Sequence, residues 1–237
     1  MEDTFINKIS EVFIKHNIEL KKEQKENFYN YYKLLVSWNE KFNLTTIISL
    51  EDVVVKHFLD SVIAYKNIKQ NSKIIDIGAG AGFPSLPLKI MRPDLTVLMV
   101  DSVNKKVTFL QEVIKQLNLD NTTTIHSRVE DLANKKEYRE QFDYCVSRAV
   151  ASLNTLSEYA LPFIKLGGEM LAYKANEINE ELENSKKAIS VLGGKVAEIL
   201  EFNVEGVNRK VIKILKQSPT PLKYPRSGNK PRLSPIS

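Results

Sequence analysis

Lys73-Ile74-Ile75-Asp76-Ile77-Gly78-Ala79-Gly80-Ala81-Gly82-Phe83-Pro84 decides how this chain folds. An apolar β-branched run surrounds Asp76, glycines follow at 78, 80 and 82, and a proline opens an amphipathic stretch. That order predicts strand, tight turn and helix, with Pro84 in the first helical turn. Glycine tolerates positive φ and leaves bare backbone for a ligand to approach. Free N–H groups where the helix starts can meet a polar or anionic group.

The spacing narrows the ligand. A dinucleotide fingerprint, G-x-G-x-x-G, would place its third glycine at position 83, where the chain has Phe83. The pattern present, D-x-G-x-G-x-G, resembles motif I of S-adenosylmethionine (SAM) methyltransferases. A glycine-rich turn without a ligand is the plain alternative. A second apolar run, Leu95–Val100, ends at Asp101 about 20 residues beyond the glycines, where a carboxylate can accept bonds from ribose hydroxyls. By itself an acid after a strand is more often a helix N-cap, here for a helix beginning at Val103.

With 237 residues the chain has room for one full α/β domain and an appendage. A single cysteine, Cys145, excludes an internal disulfide framework or a cysteine-based zinc site, and the three histidines lack metal-ligand spacing, so no metal is expected. The first residues lack the basic and apolar regions of a secretion signal, and no apolar run is long enough for a membrane span. A cytoplasmic protein with no membrane partner is the expectation.

Net charge is +5, and residues 219–237 supply +4 of it through Lys223, Arg226, Lys230 and Arg232, with no acid. Five prolines lie in the same stretch, so it is expected to pack no core. A basic tail on a near-neutral body suggests a polyanionic partner. A solvated end with no function is the alternative.

Residues 1–71 read as a helical region. Phe5, Ile9, Val12 and Phe13 fall at helical spacing, as do Phe28, Tyr31, Tyr32 and Leu35, and these aromatics with Trp38 are expected in the core. His57, Asp60 and Ser61 lie within one helical turn, as a packing network or as backing for a ligand pocket. Residues 72–218 then read as a methyltransferase-type domain in βα alternation. Helix is expected over Val103–Leu117, strand over Thr122–His126 and Phe142–Ser147, helix over Leu153–Phe163, and a turn at Gly167-Gly168. Strand Glu169–Lys174, helix Asn176–Leu192 and a hairpin of Val196–Val204 with Lys210–Lys216 complete it. The fold class is therefore α/β: a Rossmann-like, mostly parallel seven-stranded sheet covered on both faces, with an N-terminal helical extension.

The succession Asn43-Leu44-Thr45, His57-Phe58-Leu59-Asp60-Ser61, Asp76–Pro84, Asp101-Ser102, Arg128-Val129-Glu130-Asp131, Ser147-Arg148-Ala149 and Tyr224-Pro225-Arg226 resembles the glucose-inhibited division protein B family. Those are bacterial 16S ribosomal RNA guanine-N7 methyltransferases, also called small-subunit methyltransferase G. The resemblance runs from about residue 20 to the tail. It implies SAM as methyl donor and the small ribosomal subunit as partner, with guanosine 527 in the 530 loop of 16S rRNA as acceptor. By position it implies donor contacts at Gly78, Gly80 and Phe83 in the loop, Asp101-Ser102-Val103 at the ribose, Val129-Glu130 at the adenine, and Arg148 in the pocket. Val129 stands where the family has alanine, and Ser85 where it has glycine. The tail cations Lys223, Arg226, Lys230 and Arg232 are then expected on ribosomal RNA, leaving donor binding to the loop.

The residues agree with that chemistry. Methylation at pyrimidine C5 needs a cysteine nucleophile, and Cys145 lies inside an apolar strand. Exocyclic-amine methyltransferases show N/D-P-P-Y after the fourth strand, where this chain has Ser147-Arg148-Ala149. Guanine N7 offers a lone pair and no proton, so alignment serves in place of a base. A SAM enzyme acting on another RNA or a small molecule, and a non-catalytic ribosome-binding protein, are the rival readings. Arg148 has two roles open to it, a surface ion pair or a contact to phosphate, O6 or the donor carboxylate.

Overall fold

A computed structural model describes residues 1–174 and 177–237. Seven strands form one sheet in the order β3-β2-β1-β4-β5-β7-β6: β1 Lys73–Ile77, β2 Thr96–Asp101, β3 Thr122–His126, β4 Phe142–Arg148, β5 Ile164–Lys174, β6 Gly194–Val204 and β7 Val207–Lys216. Strands β1 to β5 pair in parallel, and β7 runs antiparallel to both β5 and β6. The sheet is thus mostly parallel, as the βα alternation requires, and closes with the expected hairpin.

The helices are α1 Glu2–Lys15, α2 Lys22–Phe42, α3 Leu50–Asp52, α4 Asp60–Val62, α5 Ser85–Met91, α6 Asn104–Gln116, α7 Val129–Leu132, α8 Leu153–Ala160, α9 Asn179–Val191 and α10 Lys230–Leu233. A π-helical turn, Val53–Leu59, joins α3 to α4. One apolar core lies between α1, α2, α5, α6 and one face of the sheet, and draws in Phe5, Phe28, Tyr31, Phe58, Phe83, Phe109, Ile74 and Val146. A second core, on the other face, gathers Ile75, Ile77, Cys145, Leu156, Phe163, Ile189 and Ile212 beneath α8 and α9. Burial on both faces explains why these strands read as apolar runs. Of the N-terminal aromatics, Phe5, Phe28 and Tyr31 are core residues, while Tyr32 and Trp38 are half-buried against that core, Trp38 lying 5.6 Å from Phe109 between ring centroids.

Several details depart from expectation. Pro84 precedes the first turn of α5 as its N-cap, after a cis peptide bond to Phe83. Gly167-Gly168, expected as a turn, lies within β5, which begins at Ile164. A Cβ on Gly168 would stand 2.6 Å from the Asp143 carbonyl, so close strand packing holds that glycine. The helix expected to 163 tightens into a 3₁₀ turn at Leu161–Phe163. Asn176, expected to start a helix, lies outside the described residues; α9 begins at Asn179.

The largest departure is the C-terminal stretch, which packs. Thr220, Pro225 and Pro231 are buried, and Arg226 forks onto the carboxylate of Glu158 with Nε–Oε1 at 2.9 Å and Nη2–Oε2 at 2.6 Å. The buried carboxylate supplies the missing reason for packing, since proline and charge composition alone point to a solvated tail.

Candidate active site

In a doubly wound sheet the ligand crevice opens outside the strand carboxyl ends where the order reverses, here between β1 and β4. The glycine loop leaves β1 at this point and Ser147-Arg148-Ala149 leaves β4. Gly78, Gly80 and Gly82 have φ of +68°, +60° and +98°. A Cβ at Gly78 would lie 2.7 Å from Val150 Cγ2, so close approach as well as backbone conformation demands glycine there. At Gly80 the space is open and conformation alone is the constraint.

Asp101 organises the loop from the neighbouring strand. Its Oδ2 accepts the Gly80 N–H at 2.9 Å and its Oδ1 accepts the Val103 N–H at 2.9 Å. The second bond resembles the cap foreseen for this acid, and a carboxylate doubly used in this way keeps lone pairs for ribose hydroxyls. Beneath the loop, Asp76 is fully buried; its Oδ2 accepts the Ser85 N–H at 3.3 Å, while its Oδ1 and Ser85 Oγ have no hydrogen-bond partner. Burial raises the Asp76 pKa to about 7, against the pull of Ser85 and Arg148.

Gly78, Asp101, Ser102, Val103, Val129 and Glu130 converge on one cavity of about 330 Å³. Glu130 is buried, and its Oε1 accepts from Arg128 Nε at 2.8 Å. Lys106, Arg128, Ala149, Val150, Tyr159, Asn229 and Arg232 complete the walls. Its size and its mixture of acids, bases, backbone and an aromatic suit a nucleoside-containing ligand.

Three residues expected in this cavity do not line it: Gly80, whose N–H is held by Asp101, Phe83 and Arg148. Phe83 is buried, stacked between the Tyr31 and His57 rings at centroid distances of 5.5 and 4.2 Å, and does not line it. Arg148 lies over the Phe83 ring at 5.0 Å and faces an adjacent cavity of about 440 Å³. That second cavity is cationic: Lys56, Arg148, Lys174, Arg209 and Lys210 line it, with Asp60 and a neutral His57. Ala149 lies in the wall of both cavities.

The fixing of Arg148 explains the His57–Ser61 cluster. Its Nη1 donates to Asp60 Oδ2 at 2.8 Å and to the Lys56 carbonyl at 2.9 Å, and its Nη2 donates to His57 Nδ1 at 3.1 Å. With Nδ1 accepting, the His57 proton sits on Nε2, which donates to Thr45 Oγ1 at 3.0 Å. Burial, then the charge of Arg148, lowers the His57 pKa to about 3, so the ring stays neutral at physiological pH. The π-helical turn carries Lys56 and His57, and such turns often mark functional sites. Asp60 Oδ1 is occupied by Arg209 Nε at 2.8 Å, a residue of β7 that the sequence pattern did not single out. Ser61 donates to the His57 carbonyl at 2.5 Å, and Tyr173 Oη donates to the Ser61 carbonyl at 3.0 Å.

A further missed residue is Tyr31, whose hydroxyl donates to the Ala81 carbonyl and pins α2 to the glycine loop. Its place in an aromatic helical stripe marked it only as core. Of the tail cations, Lys223 is exposed beside the Tyr224 ring, Lys230 is exposed at the start of α10, Arg226 is committed to Glu158, and Arg232 lines the 330 Å³ cavity. Among the described residues no cluster of histidine, cysteine and carboxylate could hold a metal ion, and no helix is long and apolar enough to cross a membrane.

Solved structures with this fold include M. jannaschii TYW2 in complex with AdoMet, with a TM-score of 0.55 and 18% identity over 72% of this chain and 79% of that one. P. horikoshii TYW2 in complex with MeSAdo gives 0.55 and 19% over 67% and 62%. At such identities the likeness concerns the fold alone. Among proteins named ribosomal RNA small subunit methyltransferase G, that of Acetivibrio thermocellus is 47% identical over 223 residues, 93% of this chain and 92% of its own. That of Staphylococcus aureus (strain JH9) is 47% identical over 232 residues, 96% of this chain and 97% of its own. The family model described as rRNA small subunit methyltransferase G matches residues 24–212. With that match and relatives alike over nearly their whole length, the chain belongs to the rRNA small subunit methyltransferase G family.

Proposed function

We propose that this protein transfers a methyl group from SAM to N7 of a guanosine in 16S ribosomal RNA. The observation that carries the reading is the pair of cavities meeting at Ala149, one walled by the glycine loop, Asp101 and Glu130, the other lined by five cations. Asp101, Ser102 and Val103 hold the donor ribose, Val129 and Glu130 the adenine, and the loop backbone at Gly78 the centre. SAM supplies an electrophilic sulfonium methyl when bound.

The cationic cavity receives the acceptor nucleotide, because its lysines and arginines match RNA phosphate. None of its groups is free to act as a base. His57 is neutral but spends its one acceptor nitrogen on Arg148, and both Asp60 oxygens hold arginines. N7 needs none, having a lone pair and no proton; the contribution of the site is alignment. Cys145 is no nucleophile for this site: it is buried in β4, and burial pushes its thiol well above the usual range. Arg148, held from three sides, positions the acceptor against the donor cavity.

Incubating the protein with small ribosomal subunits and methyl-labelled SAM tests this reading. Label is expected in 16S RNA; its absence from RNA under conditions where SAM binds would reject it.

A further inference from the structure

The C-terminal stretch, expected to lie free, is stitched to the body at both ends. Arg139 Nη2 donates to the Thr220 carbonyl at 2.8 Å and its Nη1 to the Tyr224 carbonyl at 3.0 Å. Glu158, whose side chain is 1% exposed, accepts the backbone N–H of Arg226 at 2.8 Å in addition to its guanidinium. Thr155 Oγ1 donates to the Pro231 carbonyl at 3.0 Å. These bonds bring Asn229 and Arg232 into the wall of the 330 Å³ cavity.

There the stretch meets the residues assigned to the adenine end. Arg128, already on Glu130 through Nε, uses Nη2 to donate to Asn229 Oδ1 at 2.8 Å. Arg232 stands beside the Tyr159 hydroxyl and reaches the Val150 carbonyl at 3.4 Å, with no carboxylate ion-paired to it among the described residues. An arginine with spare donors beside a nucleoside cavity offers hydrogen bonds to ring nitrogens or ribose, and a flat face for stacking on a purine.

We propose that residues 224–233 form one wall of the donor site and that Arg232, supported by Asn229, contacts the adenosine half of the donor. The inference rests on the reading that this cavity holds SAM. It makes the segment part of the donor site, where charge composition alone assigned it to RNA. Glu158 is its anchor: a buried carboxylate that fixes Arg226 sets where Arg232 falls.

Arg232→Ala in the full chain tests it by calorimetry with SAM and with 5′-methylthioadenosine, which retains the adenosine half. Arg232 is exposed, so the variant is expected to keep the parent melting temperature. Both ligands should bind roughly tenfold more weakly, the loss of about one charged hydrogen bond. Lys187→Ala, which removes a distant exposed cation of α9, should leave both affinities unchanged. Parent-like SAM affinity in Arg232→Ala overturns the proposal, and a shallower salt dependence of RNA binding in that case returns Arg232 to RNA. A loss for SAM but not for methylthioadenosine overturns the adenosine assignment. If the parent chain binds neither ligand, the cavity reading itself fails and this proposal with it.

Discussion

Arg148 and Asp60, 88 positions apart in the chain, meet at 2.8 Å between the end of β4 and the start of α4. The same carboxylate holds Arg209 of β7 through its other oxygen, so one acid sets two arginines in the cationic cavity. Both partners in the first pair are largely buried, with side chains 15% and 9% exposed.

Arg148→Ala is therefore expected to abolish detectable methyl transfer and to lower stability by about 1.5–3 kcal/mol, the loss of a charged hydrogen bond, since Asp60 keeps Arg209 as a partner. Arg148→Lys should rescue poorly, because an ammonium cannot reproduce contacts to Asp60, His57 and the Lys56 carbonyl from one planar fork. Steady-state transfer rates beside urea melts check both. A fully active Arg148→Ala would reduce the arginine to a structural tie.

The two leading glycines should respond differently. Gly78→Val places side-chain atoms where Val150 packs and should eliminate SAM binding measured by calorimetry. Gly80→Ala finds open space but keeps a left-handed φ, so a stability loss of about 1–2 kcal/mol is expected. Equal effects at the two positions would contradict the close packing at Gly78.

Asp101→Ala leaves the Gly80 and Val103 N–H groups without their acceptor and removes a ribose partner. SAM affinity should fall by about 1–3 kcal/mol. Asp101→Asn should not restore it, since one of the two N–H groups would then face an amide NH₂. Calorimetry that returns parent affinity for the asparagine variant would argue against the two-acceptor role.

Asp76 sets a pH dependence of stability. Folded, its carboxyl keeps a proton up to about pH 7, whereas in the unfolded chain it releases it near 4. Between those values the folded state binds more protons, so this group makes stability fall as pH rises, on the order of 4 kcal/mol in all. Asp76→Asn, whose amide can donate to the unpartnered Ser85 Oγ, should lose that dependence. Urea midpoints between pH 4 and 8 that decline equally in both proteins would rule out Asp76 as the source.

The legible parts were those with a local signature. Alternating apolar runs gave β1 to β5 and the closing hairpin, and the glycine spacing placed Gly78 beside the acids at 101 and 130. What escaped was set by pairing across the chain. Asp60 with Arg209, Glu158 with Arg226, and Tyr31 with Ala81 join residues separated by 149, 68 and 50 positions, and such pairs leave no periodicity to read. Phe83 shows a related limit. Its motif position marks it for the donor, but three neighbouring rings draw it into the core.

The central claim, methylation at guanine N7, is tested most directly by cleavage chemistry on the product. Small-subunit RNA from a strain lacking the enzyme is incubated with the protein and SAM, then treated with borohydride and aniline, which break the chain at 7-methylguanosine. One new cleavage at a single guanosine, absent when SAM is omitted, is the expected result. Label incorporated into the RNA without any new cleavage would place the methyl group on another atom and contradict it.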